Sequence, residues 1–163
     1  MQQQNRIAQY RFQEEYLERL REQQIAIDRD LNHNWYNDPY FYSAPIYSYS
    51  YGGGYYEINQ YGADMLRGAL DRGYEEGFRA GIADREDRWR PDYRDNFAYQ
   101  DALWGYNGYY INSDEYQYYF RQGFERGYED GFNQRFQYGY YSNGSYGLLS
   151  NVLGAILNLR YLH

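Results

Sequence analysis

Nucleophilic catalysis needs an activated hydroxyl or thiol beside a base, and this chain is poor in both. It has no cysteine and two histidines, His33 and His163. His33 stands among Asn32, Asn34 and Trp35 and reads as a helix C-terminal residue rather than a base. The acidic pairs Glu75/Glu76 and Glu129/Asp130 could do acid–base work. Adjacent helix residues point in different directions, however, and arginines flank both pairs, so they read as solvated faces. Asp84, Asp87, Asp92 and Asp95 lack the spacing and glycine of a calcium loop. They interleave with Arg85, Arg88, Arg90 and Arg94, which reads as charge pairing. No catalytic residue, cofactor or metal is expected, and the chain is not read as an enzyme.

The glycines do not form a phosphate-cradling loop either, because they fall inside helical patterns rather than between a strand and a helix. Leu66, Leu70, Tyr74, Phe78 and Ile82 recur every four residues, and so do Phe120, Phe124, Tyr128 and Phe132. Alongside run Gly73, Gly77, Gly81 and Gly123, Gly127, Gly131. Aligning Leu66–Phe78 with Phe120–Phe132 makes seven of 13 positions identical, including Arg72/Arg126, Gly73/Gly127, Tyr74/Tyr128 and Gly77/Gly131. That is a duplicated helical unit. Glycine in a helix costs about 1 kcal/mol against alanine, so three per helix require an offset. Close backbone approach supplies one, with flat Tyr and Phe rings expected to fill the bare ridge. Four-residue ridges that interlock favour a crossing near about −50°. Pairs such as Arg67/Asp71, Arg72/Glu76, Glu75/Arg79, Arg121/Glu125 and Arg126/Asp130 are expected to bridge along each helix.

Four segments must position these helices. Residues 1–31 read as an amphipathic N-terminal helix with Tyr10, Leu17, Leu20, Ile27 and Leu31 on one seam, either lying on its own domain or serving as an associating arm. Residues 32–60 read as a Tyr/Ser/Gly-rich linker, with the alternation at 46–51 suiting an extended strand or an ordered loop. Residues 61–136 hold the duplicated core, where Asn112 and Glu115 look like a capping box. In residues 137–163 a Gly/Tyr/Ser/Asn loop precedes an apolar assembly helix carrying Leu148, Leu149, Val152, Leu153, Ile156 and Leu157. In that loop Asn143-Gly144-Ser145 fits a glycosylation sequon. The expected fold is all-α, a helical hairpin or bundle.

Composition narrows the function. Of 163 residues, 26 are Tyr, giving wide ring area with polar tips. The formal net charge is −7 and every basic side chain apart from the two histidines is Arg, which argues against nucleic acid as a partner and for Arg–Tyr stacking. No run approaches the roughly 20 apolar residues of a membrane span. The stretches Gly73–Gly81 and Tyr116–Gly131, with Asp101, Ala102, Gly105 and Tyr106 between them, resemble uncharacterised bacterial exported proteins with paired Gly-Tyr/Phe-x-x-Gly helices. The resemblance implies an extracytoplasmic or extracellular setting, reached through a signal peptide absent from this chain, and brings no activity with it. The leading expectation is a structural, self-assembling protein, its partner being itself as a homo-oligomer or filament. The alternative is a polysaccharide-binding module using surface Tyr together with Trp35, Trp89 and Trp104.

Overall fold

The computed structural model describes residues 6–29, 44–108 and 111–162. Helix α1 (Ile7–Arg29) is followed by strands β1 (Tyr47–Tyr51) and β2 (Gly54–Ile58), then helix α2 (Gln60–Glu86). A 3-10 turn (Tyr93–Asp95) and the short α3 (Phe97–Asp101) lead to α4 (Ser113–Asn133). Strands β3 (Gly139–Ser142) and β4 (Ser145–Leu148), helix α5 (Ser150–Leu157) and strand β5 (Arg160–Tyr161) complete the chain.

The fold is therefore mixed, 61% helical with 14% in two small antiparallel sheets, and the all-α expectation is corrected. Two-residue turns account for the difference. Gly52 and Gly53 (φ 58° and 82°) close β1–β2, and Asn143 and Gly144 (φ 53° and 83°) close β3–β4. Positive φ at both central residues twists the backbone the way paired strands need. The segment expected as a loop around the sequon triplet is thus a hairpin. The described end of the expected linker, from Ala44, is largely a hairpin as well. Residues 32–43 of that region, with His33 and Trp35, lie outside the described residues, as do Leu31 at the end of the expected N-terminal seam and His163. β5 pairs with β1, so one sheet has the order β2-β1-β5 and ties the C-terminal region to the first hairpin.

Helices α2 and α4 form the centre, and they run parallel. A Cβ built on Gly73, Gly77 or Gly81 would fall well inside 3.0 Å of the main chain at Phe120, Phe124 or Tyr128. Reciprocally, one on Gly123, Gly127 or Gly131 would collide with the carbonyl oxygen of Leu70, Tyr74 or Phe78. Numbers rise together on both helices, which excludes the expected hairpin arrangement. The 87–112 connection carries the chain back to the start of α4, running along it from Asp92 beside Tyr128 to Trp104 beside Tyr116. The approach stays equally close at all three steps, which a steep crossing would not keep. The ridges are filled by partner main chain rather than by rings. A carbonyl oxygen lying where Cβ would point is the arrangement of a Cα–H···O contact, common at close helix interfaces.

The reciprocal contacts define a local two-fold along the helices that pairs Gly73 with Gly123, Gly77 with Gly127 and Gly81 with Gly131. The sequence alignment pairs Gly73 with Gly127 and Gly77 with Gly131 instead. Packing and ancestry differ by one four-residue step, which a ridge that repeats every four residues allows. The duplication also reaches further back than the helices. Gly54-Tyr55-Tyr56 precedes Ile58-Asn59, and Gly108-Tyr109-Tyr110 precedes Ile111-Asn112. Asn59 and Asn112 then cap α2 and α4. Asn59 accepts from the Gly62 N–H, but Asn112 makes no side-chain cap bond, so the expected capping box is not formed.

Candidate functional site

The aromatic stripes sit in the core. Leu66, Leu70, Tyr74, Phe78, Phe120, Phe124 and Tyr128 are buried, while Ile82 and Phe132 are half-buried. Along α4 the rings of Phe120, Phe124, Tyr128 and Phe132 form a stacked column with centroids 6.1–6.4 Å apart. On α2, Phe78 lies 4.3 Å from the Tyr146 ring and 5.2 Å from Phe136, which binds the second hairpin to the core.

Hydroxyl groups at the edges of this core reach carboxylates. Tyr74 donates to Asp130 at 2.8 Å and Tyr128 donates to Asp84, two bonds that cross between α2 and α4. Tyr16 donates to Asp101 at 2.8 Å and Tyr49 to Glu115. Burial pushes the Tyr116 and Tyr119 phenols up to about 12 and raises Tyr16, Tyr49, Tyr74 and Tyr128 further, so all six stay protonated. Burial also raises the carboxyls of Glu76, Asp84, Glu115 and Asp71, outweighing the opposing pull of their hydrogen-bond partners.

The reading of Glu75/Glu76 and Glu129/Asp130 as wholly solvated is corrected. Glu76 and Asp130 are buried, as are Asp84 and Glu115. Arg19 reaches Glu76 from α1, and Arg6 reaches Asp84 at 2.8 Å. Most of the expected bridges along the helices are replaced: Arg67 and Arg126 take other partners on their own helix, and Arg121 reaches further. Only Glu75/Arg79 is present, at 3.8 Å; Arg67 turns to Asp64, and Arg121 to the carbonyls of Tyr99 and Gln100. Helical periodicity alone places Glu76 and Asp84 on one strip with Ala80 between them, so an inward-facing row was legible there.

Helix α1 lies on its own domain, with Gln9, Phe12 and Tyr16 buried and Tyr10 exposed. The expected seam is thus rotated, because Asp87 draws the helix start inward by accepting from the Ala8 and Gln9 N–H groups. Of the assembly helix, Leu157 is buried and Leu149, Val152, Leu153 and Ile156 are half-buried, the last three packed on the core. Trp89 is half-buried beneath Arg6, 4.2 Å from its ring, and Trp104 is half-buried with its carbonyl accepting from Tyr116. Both tryptophans are engaged in the fold rather than forming an open sugar platform.

What remains outward is strand edge and tyrosine. In β4 the outward N–H groups of Tyr146 and Leu148 are taken by Glu75 and Asp71 of α2, at 2.9 and 3.0 Å. β1 is covered over part of its length by β5. Among the described residues nothing pairs with the outer edges of β2 and β3. Register places the main-chain groups of Tyr55 and Glu57 outward on β2 and those of Tyr141 outward on β3, while Gly139, in the other outward register position, is buried beside the Tyr74 ring. Tyr55 is 76% exposed and Tyr141 56%, with Tyr56 and Tyr140 also exposed. Among the described residues no cluster could hold a metal ion, and no helix is long and apolar enough to cross a membrane. No protein-family model matches the chain, and no curated protein or solved structure matches it either.

Proposed function

We propose that this protein is a structural, self-assembling component whose copies join edge to edge, β2 of one against β3 of the next. The contrast between edges carries this reading. Carboxylates from α2 cover β4 and a returning strand covers part of β1, whereas among the described residues nothing pairs with the outer edges of β2 and β3, which display tyrosines. Proteins ordinarily blunt such edges, because unpaired N–H and C=O rows template pairing with another chain. Two different edges on one chain make a heterologous contact, which propagates unless the rotation closes a ring. The paired Gly-Tyr-Tyr stretches at 54–56 and 139–141 would set tyrosine against tyrosine across the junction. The docking of α1 and α5 on their own domain argues against either helix as the donated element.

Light scattering and electron microscopy of the purified protein over a range of concentration test this. Concentration-dependent oligomers or filaments are expected. Glu57→Pro and Tyr141→Pro each remove an outward N–H and leave the inward ladder intact. Either is expected to lower the scattering mass to that of a monomer with little change in melting temperature. A wild-type chain that stays monomeric at high concentration overturns the reading.

A further inference from the structure

The return connection and α4 enclose a cleft of about 480 Å³, within the roughly 300–1,000 Å³ range of small-molecule sites. Tyr138 on its wall directly precedes β3, but none of its lining residues belongs to β2 or β3 and the assembly reading uses none of them. We propose that the cleft binds a neutral saccharide ring.

Its apolar surface is ring area. Tyr128 lies buried at its base and cannot swing, since its hydroxyl donates to Asp84 and accepts from the Asp92 N–H at 3.1 Å. Phe132 continues that base one turn on, 6.1 Å away and tilted by only 18°. Tyr93 stands against Tyr128 at 65°, with centroids 6.3 Å apart, and Tyr138 also lines the cleft. Phe132, Tyr93 and Tyr138 are half-buried, and each has an arginine over its ring, Arg85, Arg94 and Arg126 at 5.7, 5.5 and 6.0 Å, so each is only partly open to a ligand. Fixed rings meeting at a corner suit the flat C–H face of a pyranose. They lose little conformational entropy on binding.

The polar groups narrow the class. Glu125 accepts the Tyr99 hydroxyl at 3.3 Å through Oε1, leaving Oε2 free to accept. Asn133 donates its amide to the Glu129 carbonyl at 2.9 Å, which leaves its own oxygen as an acceptor. Arg126 bonds Gln122 through Nη1 and keeps its second amino group as a donor. Acceptors and a donor around ring faces match adjacent hydroxyls, each of which both gives and takes a hydrogen bond. Phosphates and other anions would meet Glu125 and Glu129. A quaternary ammonium would meet Arg126, which lies 6.0 Å from the Tyr138 ring.

Isothermal titration and saturation-transfer NMR test the proposal on the whole chain, with cellotetraose, chitotetraose, maltotetraose and tetramethylammonium as probes. At least one sugar is expected to bind with Kd near or below about 1 mM. Phe132→Ala and Tyr93→Ala should each weaken it about tenfold, or ~1.4 kcal/mol. Glu125→Gln and Asn133→Ala alter exposed or half-exposed groups and should weaken it several-fold without disturbing the fold. Tyr55→Ser, at the strand edge, should leave it unchanged, which separates this site from assembly. No binding by any of the sugars at about 10 mM overturns the proposal, as does binding that survives all four cleft variants, or binding of tetramethylammonium alone.

Discussion

The two helix interfaces of this protein are built on opposite principles. Between α2 and α4, main chain rests on main chain at six glycines, and the close approach is made without side chains. Between α1 and the rest, almost every turn is held by a polar side chain. Arg6 bonds Asp84 and Asp95, Gln9 bonds Asn96, Tyr16 bonds Asp101, Arg19 bonds Glu76, and Gln23 bonds the main chain at Leu103 and Gly105. At its glycines the first interface has no room for an added atom, and its titratable groups are confined to the Tyr74–Asp130 and Tyr128–Asp84 cross-links. The second tolerates changes of size at its edges and depends on charge. Glycine's helix penalty is accepted in the first because it admits a contact that no other residue permits. In the second, buried acids are accepted because tyrosine and arginine reach them.

The sharpest way to break the contrast is one methyl group. Gly77→Ala or Gly127→Ala would press Cβ into a rigid carbonyl, and each is expected to cost about 3 kcal/mol or more in chemical denaturation. Arg19→Ala should cost somewhat less, about 2–3 kcal/mol, by leaving the buried Glu76 carboxylate with only the looser Arg79 at 3.8 Å. Urea melts would show it, and Arg19→Lys should restore part of the loss. Gly68→Ala sharpens the comparison from the other side. Its Cβ would meet only the end of the flexible Arg72 side chain, so a gain of about 0.5–1 kcal/mol is expected from helix propensity.

The pH dependence should come from the carboxylates around the core and leave the glycine seam untouched. Burial raises Glu76, Asp84, Glu115 and Asp71 above their ordinary values. The folded chain therefore holds their protons more tightly than the unfolded chain does. Their contribution to stability is full below the ordinary carboxylate range and is lost as pH rises through the folded values. The melting temperature is expected to rise as pH is lowered from about 7 to about 5, and Glu115→Gln should flatten that slope. The raised phenols act at the other end, since their contribution disappears as pH climbs above about 10.

Much of the core was legible because its signals are local. Four-residue spacing gave α2 and α4 to within a few residues, and it gave the glycine ridges and the aromatic stripes beside them. The hairpins were legible only in part. Alternation at Tyr47–Tyr51 was visible, but Asn143-Gly144 is also a turn signal as strong as a sequon, and only pairing decides between the two. Periodicity pointed Glu76 and Asp84 inward, but arginine neighbours in sequence masked the burial of Glu76 and Asp130, and the groups that satisfy those two come from α1, from Tyr74 and from the chain after α4. The cleft residues on α4 looked like an ordinary exposed face until Tyr93 and Tyr138 were brought up against it.

By itself, the sequence determined that two copies of a glycine-ridged helix exist and which of their faces turn inward, because helical periodicity depends on the backbone alone. Only the tertiary structure decided that they run parallel and one step out of their ancestral alignment. A ridge repeating every four residues looks the same after a four-residue slip, so register must come from elsewhere. Here the cross-links Tyr74–Asp130 and Tyr128–Asp84 and the returning 87–112 segment fix it. Contacts between groups some 44 to 56 residues apart in sequence leave no periodic trace along the chain.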